Sequence, residues 1–179
     1  LVGAQEVSKD SLRIESYGTV DELNTIIGLV RTFLDQSAAE PEVKARLASW
    51  LKLVQNDLFD LGADLATRIE DRWANMPLIG PQDITALEET MDALNEELPP
   101  LTSFVLPGGG PVNAFLHQAR TVCRRAERIT VSLRREEPIG EFAIPYLNRL
   151  SDALFVWSRW VSRRLGEAEY LWEQGVADT

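Results

Sequence analysis

Apolar residues recur along this chain at steps of three and four, and the sustained alternation that marks half-buried strands is nearly absent. The pattern predicts amphipathic helices. Thr19-Val-Asp-Glu22 has the form of a capping box, in which the Thr oxygen accepts from one orphan backbone N–H and Glu22 reaches back to another. A first helix is therefore expected to start there, with Leu23, Ile26, Ile27, Val30, Phe33 and Leu34 as its apolar stripe. A longer second helix opens near Pro41 and carries Leu47, Leu51, Val54, Leu58, Leu61 and Leu65. Pro77, Gly80 and Pro81 interrupt the pattern between Glu70 and Gln82 and predict a loop. Ile84, Leu87, Met91, Leu94 and Leu98 then mark a short third helix, which Pro99-Pro100 stops.

A turn-rich connection, Ser103-Phe-Val-Leu-Pro-Gly-Gly-Gly110, precedes a fourth helix buried through Val112, Phe115, Ala119, Val122, Ala126, Ile129 and Leu133. Pro138 and Gly140 make a loop of Glu136 to Glu141. The fifth helix has Pro145 in its first turn and a seam of Leu147, Leu150, Leu154, Trp157, Val161 and Leu165. Five such helices with short connections predict an all-α, up-and-down bundle with a core like a four-helix bundle, in one domain over residues 1–179. Leu1 to Gly18 has weak periodicity and is expected to be an irregular lead-in. Trp160 falls off the fifth helix's seam, which points to a subunit contact.

Composition narrows the function. With 45% hydrophobic and 26% charged residues, the chain has the makeup of a folded globular protein and not of a disordered tail. Its 28 acidic residues against 18 basic ones exclude a general nucleic-acid binder, which needs an extended basic surface to neutralise phosphates. Lys9, Lys44 and Lys52 are the only lysines; the other 15 cations are arginine, the residue that forks onto phosphate or carboxylate. Cys123 is the single cysteine, so no disulfide closes within the chain and a reducing, cytoplasmic setting is expected. No run approaches the roughly 18 apolar residues of a membrane span, and no membrane partner is expected.

Within this acidic chain Arg120, Arg124 and Arg128 stand at i, i+4 and i+8, climbing one side of the fourth helix. Stacked guanidiniums repel, so the ladder either faces an anion or forms a solvated face balanced by acidic neighbours. Asn148 and Asp152, also four apart and beside the fifth helix's seam, either satisfy nearby arginines or complete one wall of a polar pocket. Gly108-Gly-Gly110 is either a phosphate-binding turn at a helix start or a flexible link. Phe104 is either core filler or a ligand contact. His117, the sole histidine, has no nucleophile arranged beside it, and the paired Glu-x-x-His motifs of a di-iron bundle are absent. Glu88-Glu89 and Glu96-Glu97 are expected to be solvated.

The runs Ser8-Lys-Asp10, Tyr17-Gly-Thr-Val-Asp-Glu-Leu-Asn24, Ser103-Phe-Val-Leu-Pro-Gly-Gly109, Ala119-Arg-Thr-Val-Cys-Arg-Arg-Ala-Glu-Arg128 and Tyr146-Leu-Asn-Arg-Leu-Ser-Asp-Ala-Leu-Phe155 resemble, in order and over nearly the whole chain, the ATP:cob(I)alamin adenosyltransferases of the propanediol-utilisation type. The resemblance implies a homotrimer with active sites at the subunit interfaces. There the 5′-deoxyadenosyl group of ATP passes to the cobalt of reduced cobalamin, with Mg²⁺ on the phosphates and no metal held by protein ligands. It implies ATP binding by Lys9, Arg124, Arg125, Glu127, Arg128 and Asn148. It further implies a salt bridge between Arg120 and Asp21 of a neighbouring subunit, a corrinoid-facing Phe104, and Asp152 orienting nearby arginines. Arg120, Arg124, Asp152 and Phe104 form the implied catalytic set. The implied partners are a reductase and an enzyme that uses adenosylcobalamin. The family's glycine-rich segment ahead of Ser8-Lys-Asp10 is expected upstream, since the chain starts at Leu1-Val-Gly3. The alternative is a non-catalytic ATP- or corrinoid-binding carrier or sensor of the same fold.

Overall fold

A computed structural model describes residues 8–175. It contains five α-helices: α1 (Leu12–Gln36), α2 (Pro41–Ala66), α3 (Pro81–Asn95), α4 (Pro111–Glu136) and α5 (Ala143–Leu165), with a short 3₁₀ turn at Ile69–Asp71. Among the described residues the only β-type pairing is one isolated bridge, Val105 to Leu171. The expected glycine-rich segment falls outside the described residues.

Side-chain pairings give the topology. Arg13 of α1 meets Glu137 at the end of α4, Glu22 meets Arg125, and Phe33 stacks on Phe115 at 5.1 Å, so α1 and α4 are antiparallel. Asp57 of α2 meets Tyr146 and Trp50 meets Trp157, so α2 and α5 are antiparallel as well. The pairs Glu88–Arg149, Thr90–Trp157 and Glu97–Arg164 advance together, so α3 lies parallel to α5. Each helix thus reverses the one before it. The pairs α2–α1, α1–α4, α4–α5 and α5–α2 close a four-helix ring, and α3 packs outside it on α5.

Each predicted helix is present, and the first starts earlier than its sequence suggests. Ser11 caps α1, its Oγ accepting from the Ile14 N–H at 3.4 Å. Thr19 is mid-helix and donates to the Glu15 carbonyl at 2.7 Å, while Glu22 turns to Arg125 instead of capping anything. The first two turns bury polar side chains, Arg13, Ser16 and Thr19, which erases the hydropathy period there. Arg13, 2% exposed, donates to the Leu65 carbonyl at 2.8 Å and to Glu137 at 2.8 and 3.0 Å. That satisfied guanidinium pins the first turn of α1 to the ends of α2 and α4, so residues 12–18 are helical and not irregular.

Trp160 also departs from expectation. It is 2% exposed and packs within the chain, 5.7 Å from the Trp50 ring, with Arg46 and Arg164 over its faces and its Nε1 donating to Glu97 at 3.3 Å. Hiding an indole removes roughly 200 Å² from water, worth about 5 kcal/mol, which outweighs its off-seam position. Glu97 consequently joins an ion cluster with Arg46 and Arg164 and is not a freely solvated carboxylate. Its pKa is lowered, chiefly by the Arg164 hydrogen bond.

Candidate active site

Helix α4 buries Ala119, Val122, Cys123, Ala126 and Thr130, which leaves Arg124 and Arg128 on its outer edge where it meets α5. The Cys123 thiol donates to the Leu147 carbonyl at 3.2 Å and locks the two helices together there. Burial, followed by the nearby Glu127 carboxylate, pushes its pKa up, so it is a packing group and no nucleophile. Across the seam Asn148 donates from Nδ2 to Glu127 at 3.0 Å. One helical turn on, Asp152 accepts from Arg149 at 2.9 Å, and Arg149 also pairs with Glu88 at 3.2 Å.

Arg120, Arg124 and Arg128 form no ion pair with any described residue, although the chain has a ten-charge acidic excess. A ladder balanced by acidic neighbours is therefore not what the chain builds. Arg128 does no more than reach back to the Arg124 carbonyl at 3.4 Å. Burial, then repulsion from Arg124, lowers the pKa of Arg120, which remains a cation at any physiological pH.

The remaining sequence-derived positions separate. Arg125 turns to the opposite flank and pairs with Glu22 of α1. Lys9 is exposed in the turn ahead of α1, at the end of the bundle where Arg13 meets Glu137, and makes no contact with the Arg124–Asn148 cluster. Asp21 lines a groove between α1 and α2 with Phe59 and Gly62, on a different face from Arg120.

Arg120 instead forms part of a cavity of about 700 Å³, with Leu101, Ser103, Phe104, Phe155 and Trp172 among its walls. Phe104 is 77% exposed and meets the Trp172 ring edge-on at 6.3 Å, so it is not core filler. The Arg120 guanidinium stands 6.0 Å over the Phe155 ring. Sequence reasoning passed over Phe155 and Trp172. Phe155 had a signal, since it stands three residues after Asp152 and seven after Asn148 on the same helical face. Trp172 had none. Behind Phe155, His117 is buried and its Nε2 lies 3.4 Å from Ser158 Oγ. Burial and the adjacent Arg120 depress its pKa to about 4, so it is a neutral imidazole. A separate 540 Å³ groove between α1 and α2 contains Arg31, Asp35 and Lys44 but none of the predicted residues.

The glycine turn before α4 is already occupied. The Glu167 carboxylate lies against Gly109 and Gly110, where any Cβ on Gly110 would overlap it, and accepts from Ser162 Oγ at 3.2 Å. A carboxylate of the chain's own C-terminal segment thus sits at the positive start of α4. Among the described residues no group of three or more His, Cys, Asp or Glu is arranged to hold a metal ion, and no helix is long and apolar enough to cross a membrane.

A helical bundle that leaves guanidiniums unpaired along one inter-helix seam, one turn from a cavity walled by aromatics, is built for a polyanion beside an apolar group. Comparison with known proteins gives that class a name: the cobalamin adenosyltransferase family model matches residues 1–161, and the chain belongs to that family. It is 42% identical over 172 residues to the corrinoid adenosyltransferase of Bacillus subtilis, covering 95% of this chain and 85% of that protein. It is 40% identical over 168 residues to the cobalamin adenosyltransferase of Cupriavidus metallidurans, covering 94% and 84%. Among solved structures, a variant PduO-type ATP:corrinoid adenosyltransferase from Lactobacillus reuteri complexed with cobalamin and ATP superposes with a TM-score of 0.88 at 33% identity, covering 97% of this chain and 93% of that one.

Proposed function

We infer that this chain transfers the 5′-deoxyadenosyl group of ATP to the cobalt of cob(I)alamin, giving adenosylcobalamin and triphosphate. One observation carries the reading: of the unpaired guanidiniums, Arg124 on the α4–α5 seam and Arg120 in the wall of the aromatic cavity are one turn apart on α4. That is roughly 6 Å along the axis, which brings a polyanion and a corrin face within reach of one reacting bond.

The Co(I) centre is the nucleophile and attacks C5′ of the ribose, while the leaving oxygen takes its electron pair onto triphosphate. No protein base or covalent nucleophile is needed, consistent with a neutral His117 and a buried, protonated Cys123. The work left to the chain is alignment and charge neutralisation. Arg124 and Arg128 take the phosphates. Asn148 holds one Glu127 oxygen, which leaves the other free to accept from a ribose hydroxyl. Lys9 and Arg125 stay in the proposed phosphate set, although within one chain Lys9 stands away from the Arg124–Asn148 cluster and Arg125 is paired with Glu22. Asp152 holds Arg149 and so stiffens the seam. Mg²⁺ on the phosphates would supply further neutralisation; among the described residues no group of three or more His, Cys, Asp or Glu is arranged to hold it. Phe104 occupies the lower corrin face, displaces the axial base and makes Co(II) easier to reduce.

The active unit in this reading is a homotrimer. Its support is that Arg120 and Asp21 lie on different faces of one chain, so the expected salt bridge needs a second copy. Exposed Leu29, Leu53 and Phe59 on α1 and α2 offer that copy apolar area. A cytoplasmic setting suits a Co(I) substrate, with a reductase as electron source and an adenosylcobalamin-dependent enzyme as recipient. Incubation with ATP, Mg²⁺ and chemically reduced cobalamin is expected to convert the corrinoid spectrum to the adenosylated form and to release triphosphate. ATP binding without triphosphate release refutes the transferase reading in favour of a carrier or sensor.

A further inference from the structure

Gly166, in the left-handed region at φ 69°, ends α5 and turns the chain back toward the Phe104 connection. From there residues 167–172 run antiparallel to residues 103–110 and tie them at successive points. Glu167 lies against Gly109 and Gly110. The Leu106 N–H donates to the Tyr170 carbonyl at 2.8 Å and the Trp172 N–H to the Phe104 carbonyl at 2.7 Å, enclosing the Val105–Leu171 bridge. Ser103 Oγ donates to the Trp172 carbonyl at 2.7 Å. Arg159, buried on α5, donates from Nε and Nη2 to the two oxygens of Glu169 at 2.7 and 3.1 Å, and from Nη2 to the Pro99 carbonyl at 3.0 Å. One guanidinium thereby fastens both the returning segment and the start of the connection to the bundle.

We propose that residues 167–172 form a clasp that positions Phe104, with the Arg159–Glu169 ion pair as its latch, and that Glu169 is a positioning residue for the reaction. Phe104 is exposed, and its one ring partner, Trp172, belongs to the clasp. Ordering each loop residue costs about 1–2 kcal/mol, so without the clasp nothing in the core holds this aromatic in place. The ties are few and peripheral, so they open without unfolding the bundle. The inference rests on the axial-displacement reading of Phe104. One electron from a reduced flavin turns Co(II) into Co(I), and the step is eased only while Phe104 keeps the axial base away.

Glu169 and Glu167 do not line the aromatic cavity, so changing them tests the clasp without removing a corrinoid contact. In Glu169→Gln, amide hydrogen exchange at Leu106 and Trp172 is expected to rise about tenfold while α4 and α5 core amides stay unchanged. Adenosylation started from Co(II) with reduced flavin is expected to fall about tenfold, and from preformed Co(I) less than about twofold, with KM for ATP unchanged. Glu169→Asp is expected to restore part of both, and Glu167→Gln to reproduce the exchange effect more weakly. Phe104→Ala is the control for the underlying reading. If it fails to separate the two starting states, the Phe104 role is overturned and exchange alone judges the clasp. If it separates them while Glu169→Gln speeds exchange without separating them, the positioning role is overturned. Unchanged exchange overturns the latch.

Discussion

Asp57 offers a test of the packing that sets up the site. It is 7% exposed in the core, and its one hydrogen bond comes from the Tyr146 hydroxyl at 2.8 Å, at the first turn of the helix that carries Asn148. Burial, partly offset by that hydrogen bond and reinforced by Asp83 and Asp60, raises its pKa from 3.8 to about 6. The folded state binds the proton more tightly than the unfolded chain, so the stabilisation is fully present below pH 3.8 and is lost as pH rises through about 6. The full swing is about 3 kcal/mol, of which about 1.4 kcal/mol falls between roughly pH 8 and pH 5. Asp57→Asn keeps the shape and the acceptor for Tyr146 but cannot ionise. Asp60 and Asp64 are raised in the same direction, and comparing the variant with the wild type at each pH cancels them. Urea unfolding at fixed protein concentration is expected to show Asp57→Asn gaining about 1.4 kcal/mol on the wild type as pH rises from roughly 5 to 8. An identical difference at both pH values refutes the reasoning, because Asp57 would then ionise as an ordinary surface carboxylate.

If Arg124 holds phosphate as proposed, Arg124→Ala removes an exposed charge-assisted contact of about 1.5–3 kcal/mol, so kcat/KM for ATP is expected to fall by about 10- to 150-fold with an unchanged melting temperature; unaltered kinetics would remove Arg124 from the site. Phe104→Ala is expected to slow adenosylation from Co(II) more than from preformed Co(I), and equal effects in a side-by-side assay would end the axial-displacement role. The proposed trimer predicts that Arg120→Asp and Asp21→Arg each dissociate it and that the double exchange restores it, as read by sedimentation; a trimer that survives both single changes refutes the intersubunit bridge.

Much of this was legible along the chain because helices are local. The stripes of Leu47 to Leu65 and Val112 to Leu133 mark their helices from periodicity alone, and the spacing of Arg120, Arg124 and Arg128 puts them on one side of α4. The start of α1 was not legible, because the partners that satisfy Arg13, the Leu65 carbonyl and Glu137, are 52 and 124 residues away. Trp160 was misjudged for the same reason: its partners Trp50 and Arg46 are on α2.

The sequence by itself determined the helical class, the number of helices and the identity of the charged groups, since each rests on steps of three, four and seven residues. Tertiary structure decided which of those groups stay free. It turned Arg125 to Glu22, set Asp152 on Arg149, laid Glu167 over the glycine turn and left Arg124 and Arg128 unpaired on the seam. Charge pairing depends on distances of a few ångströms between residues far apart in the chain, and only packing the helices together sets them.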